Sequence, residues 1–150
     1  VKALSISRHA IRHATPQDAA EIARLLTVLE HPTTEAEVTQ WWPSWREHGN
    51  WALVAERDDA SLAAFCQLHM THVLHRPKPV GRITALVVDI EARGQLLGSR
   101  LVAVAEAELA ARGCGLLEIT SNRRRTDAHR FYERLGYEHT SVRLSRTIAD

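Results

Sequence analysis

Cysteine is scarce. Cys66 and Cys114 are the two in 150 residues, and neither stands in a CxxC pair. That excludes a disulfide scaffold and leaves zinc-ribbon and thiol-redox readings without support. Both are expected to be small buried apolar residues. Long apolar runs are also missing: none approaches the roughly 18 residues that a membrane span needs. Val1 to Ala10 lacks the apolar core of a signal peptide, so a cytoplasmic location is expected. Charge of one sign is not in excess. Lys and Arg total 19 against 18 for Asp and Glu, a net charge of +1, which argues against a dedicated nucleic-acid binder. No repeat, low-complexity tract or Pro/Gly/Ser-rich linker divides the chain, so residues 1–150 are expected to form a single domain.

What is present is the composition of an ordinary globule, 45% apolar and 25% charged. Nine histidines and four tryptophans stand out, with Trp41, Trp42 and Trp45 close together. Residues 9–14 read as a strand. Thr15-Pro16 then reads as an N-cap with proline at the first helical position. Ile22, Leu25, Leu26 and Leu29 follow at helical spacing, giving a helix ending near Glu30. Thr34 and Glu37 form a capping-box pattern for a second helix, in which Pro43 is expected to mark a kink or an end. Residues 51–57 and 61–73 read as a hairpin, and 82–90 as a β-branched central strand. Leu97, Leu101, Val104, Ala105 and Leu109 share a helical face, closed by Gly113. Residues 116–120 read as a short buried strand. Ala128, Phe131, Tyr132 and Leu135 lie on a last helix capped by Gly136, and 140–147 alternate like a final strand. The order is mixed α/β, with a parallel crossover from 82 to 120.

Arg93-Gly94-Gln95-Leu96-Leu97-Gly98-Ser99 joins a strong strand to a strong helix. Free backbone N–H groups and the helix dipole at such a junction favour an anion. The loop is neither a Walker A sequence nor a three-glycine dinucleotide fingerprint. Taken alone it also fits an ordinary strand–helix connection with a capping glycine. Downstream, residues 122–137 read NRRRTDAHRFYERLGY. The Ala-x-x-x-Tyr-Glu-x-x-Gly-aromatic helix, following an Arg-Gly-x-x-x-Gly loop, resembles the GNAT superfamily of acyl-CoA-dependent N-acetyltransferases. The resemblance covers about Thr15 to Arg143. It implies a central mixed β-sheet flanked by about four helices. The family's loop is Gln/Arg-x-x-Gly-x-Gly/Ala; Arg93 and Gly98 match, and Leu96 replaces the middle glycine.

The resemblance implies acetyl-CoA as co-substrate, bound where strands 82–90 and 116–120 splay apart. A bulge in the first strand would free main-chain groups for the pantetheine arm, by position those of Leu86, Val87, Val88 and Ile90. The Val88 N–H is the implied donor to the thioester carbonyl. The pyrophosphate would rest on the N–H groups of Arg93, Gly94, Gln95, Leu96, Leu97, Gly98 and Ser99. Asn122 is placed to bond the cofactor arm. Tyr132 matches the family's tyrosine that protonates the leaving thiolate, although its position beside Ala128 and Leu135 also suits a core residue. Many relatives carry a glutamate base where this chain has Thr84; Asp89, Glu118, His69 and His72 are the alternatives here.

Arg123, Arg124 and Arg125 read either as a solvated helix start or as a source of one arginine, Arg125, for a CoA phosphate. His69, His72 and His75 recur every third residue on a strand and loop, which scatters them, and no metal site is expected. Trp41 and Trp45 are expected to pack inward. In relatives the first two helices cover the acceptor site, so Trp41 and Trp42, with Glu30 and its neighbours Glu35 and Glu37, are candidates for binding a cationic amine such as a polyamine, an aminoglycoside or a peptide amine. The expected activity is acetyl transfer from acetyl-CoA to a primary amine of a small molecule or peptide, in a ternary complex. A non-catalytic acyl-CoA sensor of the same fold is the alternative, motivated by Leu96 and Thr84. No nucleic-acid or membrane partner is expected. Dimers are common in the family, so a homodimer is among the assemblies implied.

Overall fold

Five strands lie side by side in chain order: β1 (Ala10–His13), β2 (Asn50–Glu56), β3 (Leu62–Thr71), β4 (Val80–Val88) and β5 (Leu116–Ile119). The first three junctions are antiparallel and β4–β5 is parallel, as a crossover through a helix allows. The computed structural model describes residues 9–149. The chain divides between Thr120 and Ser121 into two compact units, and the sheet belongs to the first.

Two helices cover one face of the sheet. A 3₁₀ turn (Pro16–Asp18) leads into α1 (Ala19–Val28), which ends two residues before Glu30. α2 (Glu35–Glu47) starts from the Thr34–Glu37 capping box, and Pro43 lies within it without ending it. Ile22, Leu25, Ala52, Val54, Phe65 and Val87 form a buried cluster under these helices. The third helix, α3 (Leu97–Ala111), packs on the opposite face. A Cβ built on Gly81 would come within 2.9 Å of Leu109, and the Arg112 guanidinium lies 3.9 Å above the Trp51 ring. Both belong to the strand faces turned away from Phe65. α3 buries Val102 with Leu97, Leu101, Ala105 and Leu109, whereas Val104, expected on that face, is 37% exposed.

The second unit holds α4 (Thr126–Arg134), closed by Gly136 at φ 94°. Residues 140–147 do not form the expected strand. Alternation makes a segment competent to pair, but a strand exists only where an edge supplies hydrogen bonds. Among the described residues none pairs here, and Val142 and Leu144 are exposed.

Candidate active site

The loop after β4 is held from below by a carboxylate. Asp89 accepts from the Ile90 N–H at 3.0 Å and starts a 3₁₀ turn (Ile90–Ala92). Its other oxygen accepts from Arg24 at 3.1 Å and Arg57 at 3.0 Å. Both arginines also donate to the Leu62 carbonyl. Burial opposes ionisation of Asp89, but the Arg57 hydrogen bond and the Arg24 charge outweigh it and hold the carboxyl below its usual range. A carboxylate so engaged is a weak base, which sets Asp89 aside from the alternatives for proton removal. Arg93 then donates its Nε to the Val88 carbonyl at 3.1 Å. Gly94 takes φ 78° and Leu96 takes φ 59°, so the chain makes a left-handed bend even where leucine stands for glycine. Among the described residues no side chain caps α3, and no acidic residue lies in its first turn. The N–H groups of Leu97, Gly98 and Ser99 therefore meet the positive end of the dipole without a built-in acceptor, a setting suited to phosphate.

β4 carries a bulge. Gln67 pairs with Ala85 while Leu68 pairs with Ile83, so Thr84 is the extra residue. Pairing with β5 ends at Ile83–Ile119, leaving the second half of β4 without β5 alongside. The direction of its N–H groups follows from alternation. The Asp89 N–H donates to the Ala63 carbonyl, so the opposed pairs Phe65–Val87 and Gln67–Ala85 are the hydrogen-bonded ones. Leu86 and Val88 turn their N–H groups to the open edge. Two expected contacts are thereby corrected. Val87 faces β3, and Ile90 spends its N–H on Asp89 and its carbonyl on Arg93.

On the α1–α2 face, residues two apart along the strands form rows. Val54, Phe65 and Val87 make an apolar row; Ala52, Gln67 and Ala85 the next; Asn50, His69, Arg82 and Glu118 a polar one. Arg82 Nε lies 3.2 Å from Glu118. Above the first two rows is a groove of about 200 Å³, walled by Trp41, Trp42 and Trp45 and floored by Phe65 and Gln67. Trp42 and Trp45 pack on the core with ring centroids 4.8 Å apart, while Trp41 is 62% exposed. The inward pair is thus Trp42 and Trp45, not Trp41 and Trp45. Val38, Trp42 and Trp45 stand at i, i+4 and i+7, and that stripe faces the cluster. Glu30 is not part of the groove lining; it sits in the turn after α1 at φ 69°. Glu37 lines the groove instead, with Oε1 held by the Thr34 cap.

With Thr33, Gln67 is a polar lining residue that no motif in the sequence singled out. It is the one strongly polar side chain in LAAFCQL, a visible break in an apolar run. Its Nε2 donates to Thr84 Oγ1 at 3.0 Å, and the Thr84 hydroxyl donates to the Gln67 carbonyl at 3.3 Å. The Asp89–Arg24–Arg57 clamp was also missed, since nothing local joins residues so far apart in sequence.

In the second unit, Asn122 Oδ1 accepts from the Arg124 N–H at 2.9 Å, leaving its amide N–H groups for other partners. Arg125 is the N-cap of α4. The half-buried Tyr132 packs edge-on against Phe131 and Tyr137. In the first unit, His69 lies on β3 while His72 and His75 fall in the loop beyond it. No group of three or more metal-ligating side chains is found among the described residues. Burial pushes the Cys66 thiol up to about 12, so it is an inert core residue.

Residues 17–137 match the acetyltransferase (GNAT) family. The chain belongs to that family. A curated relative, the aminoalkylphosphonate N-acetyltransferase of Salmonella typhimurium, is 39% identical over 90 residues. That match covers 60% of this chain and 58% of the relative, so the chain spans less than two thirds of its length. Among solved structures, a transcriptional regulator from Bacillus halodurans superposes with a TM-score of 0.81 at 24% identity, covering 94% of this chain and all of that one. Glucosamine-6-phosphate N-acetyltransferase from Arabidopsis thaliana gives 0.80 at 22%, covering 95% and 100%. At those identities the likeness establishes the fold. Thr84 and Leu96, where the sequence departs from the family pattern, both lie in bent backbone: a bulge at one, a left-handed turn at the other.

Proposed function

We propose that residues 1–150 act as one catalytic domain that moves an acetyl group from acetyl-CoA to a primary amine. The observation that carries this reading is the open edge of β4, where Leu86 and Val88 present N–H groups just ahead of the uncapped start of α3. Acetyl-CoA, when bound, supplies an activated acyl group on a thiol leaving group. With the Arg93 N–H directed to the Ile90 carbonyl, the loop N–H groups from Gly94 to Ser99 would take its pyrophosphate, and the Leu86 main chain its pantetheine arm. The Val88 N–H would stabilise negative charge on the carbonyl oxygen. Asn122 and Arg125 supply further polar contacts to the cofactor. The amine forms its N–C bond as the C–S bond breaks; the amine loses a proton and the thiolate gains one. Tyr132 is the acid that gives the thiolate its proton. His69 and Glu118, on the row beyond Gln67, and His72, in the loop after β3, are the groups left to take the amine's proton, through water.

The Salmonella relative is named for aminoalkylphosphonates, so 2-aminoethylphosphonate belongs among the acceptors tested. With both cysteines free thiols, the cytoplasm is the fitting compartment. A second reading, a non-catalytic acyl-CoA sensor, is favoured by one observation: Thr84 gives Gln67 a hydroxyl partner where a base would be needed. Thiol release from acetyl-CoA with a pooled amine library separates the two. The expected result is amine-dependent release, reduced at least tenfold in kcat by Tyr132→Phe with little change in the KM for acetyl-CoA. Binding of acetyl-CoA without release would favour the sensor.

A further inference from the structure

We propose that the α1–α2 groove selects an acceptor with a single amine on an apolar body about the size of one ring, and that Gln67 Oε1 accepts a hydrogen bond from that amine. The inference rests on the acetyltransferase reading and narrows its acceptor class.

The walls argue for the apolar body. Trp41, Trp42 and Trp45 converge on a space of about 200 Å³ above Phe65. Indole faces hold apolar groups and attract a cation over the ring. Trp41 leaves most of its surface in solvent, a large apolar area that a seated ligand would cover.

Charge argues for one amine. Of Glu30, Glu35 and Glu37, the groove is lined by Glu37. A polyamine or an aminoglycoside carries several cations and calls for several carboxylates. An aminoalkylphosphonate calls for cationic partners, and among the described lining residues there is neither lysine nor arginine. The Glu37 carboxylate would also repel a phosphonate.

The polar end is fixed by a two-bond exchange. Thr84 commits its hydroxyl proton to the Gln67 carbonyl, so it accepts from the Gln67 side chain. The amide must then point Nε2 at Thr84. Oε1 is left as the acceptor that Gln67 offers to the groove it lines. Thr84 is the bulge residue of β4, two positions before Leu86, so this end of the groove is the one next to the open strand edge.

Occupancy can be read without turnover. Tryptophan emission of the full chain is followed while 2-phenylethylamine, spermidine or 2-aminoethylphosphonate is added, with no acetyl donor. Trp51 is buried beneath Arg112 and gives a constant background. Saturable quenching by 2-phenylethylamine is expected, with affinity at least tenfold above either of the others and weakened at least fivefold in Trp41→Ala. In turnover, Gln67→Leu is expected to raise the KM for 2-phenylethylamine about tenfold while the KM for acetyl-CoA holds. Absence of saturable quenching by 2-phenylethylamine in folded protein, or preference for either other amine, overturns the proposal. So does a Gln67→Leu enzyme with unchanged amine KM. Quenching without thiol release from acetyl-CoA would instead overturn the acetyltransferase reading and leave the groove assignment standing.

Discussion

At Leu96 the backbone enters the left-handed region with φ 59° and ψ 15°. A side chain there costs roughly 1 kcal/mol, because its Cβ crowds the following carbonyl. Leu96 is 52% exposed, so burial repays little of that strain. Leu96→Gly is therefore expected to stabilise the protein by about 0.5–1 kcal/mol, a rise of a few degrees in Tm. Leu96→Ala, which keeps the Cβ, should not reproduce the gain. A lower Tm for the glycine variant would mean that leucine makes contacts worth more than the strain. The bend itself was not legible in the sequence: leucine at a position needing positive φ carries no local signal. The glycines that flank it were legible, and Gly94 does take φ 78°.

Elements place the loop by ties between distant parts of the chain. Arg24 comes from α1 and Arg57 from the turn after β2, and both close on Asp89 at the end of β4. Asp89→Asn is expected to leave two guanidiniums facing a neutral amide, destabilising the fold by about 1–3 kcal/mol. It should raise the KM for acetyl-CoA several-fold while kcat stays within about twofold, because the turn before Arg93 loosens. A fall in kcat at constant KM would identify Asp89 as a base instead. The same scale explains the element boundaries. α2 was readable from its capping box and β3 as the second strand of a hairpin, whereas the segment 140–147 had the alternation of a strand and is not one. Periodicity reports which residues share a face, not whether a neighbouring edge is there to pair.

In the first unit, stability should fall in acid for a reason visible in its ion pairs. The Arg24 hydrogen bonds hold Glu21 below its usual range. Burial of Asp18 opposes ionisation, but the bidentate Arg12 bonds and the Thr15 N–H outweigh it and lower it too. With Asp89, these are three carboxyls whose folded pKa is depressed. Each contributes stability that is fully present above its unfolded value, about 4, and is lost as pH falls through the folded value. Unfolding free energy should be level from pH 7 to about 5 as far as these groups are concerned, then drop steadily below. Arg12→Leu should flatten that drop by removing the Asp18 contribution; an unchanged acid limb would count against it. The sequence by itself determined the order of the elements from β1 to α4 and the place of the loop before α3, because local patterning and one motif pair carry that information. Only tertiary structure decided which β4 N–H groups face outward, that Glu37 rather than Glu30 reaches the tryptophan groove, and that Gln67 and Thr84 hydrogen-bond each other. Those facts depend on register, on a one-residue bulge and on helix rotation, and each brings together residues that no short stretch of chain relates.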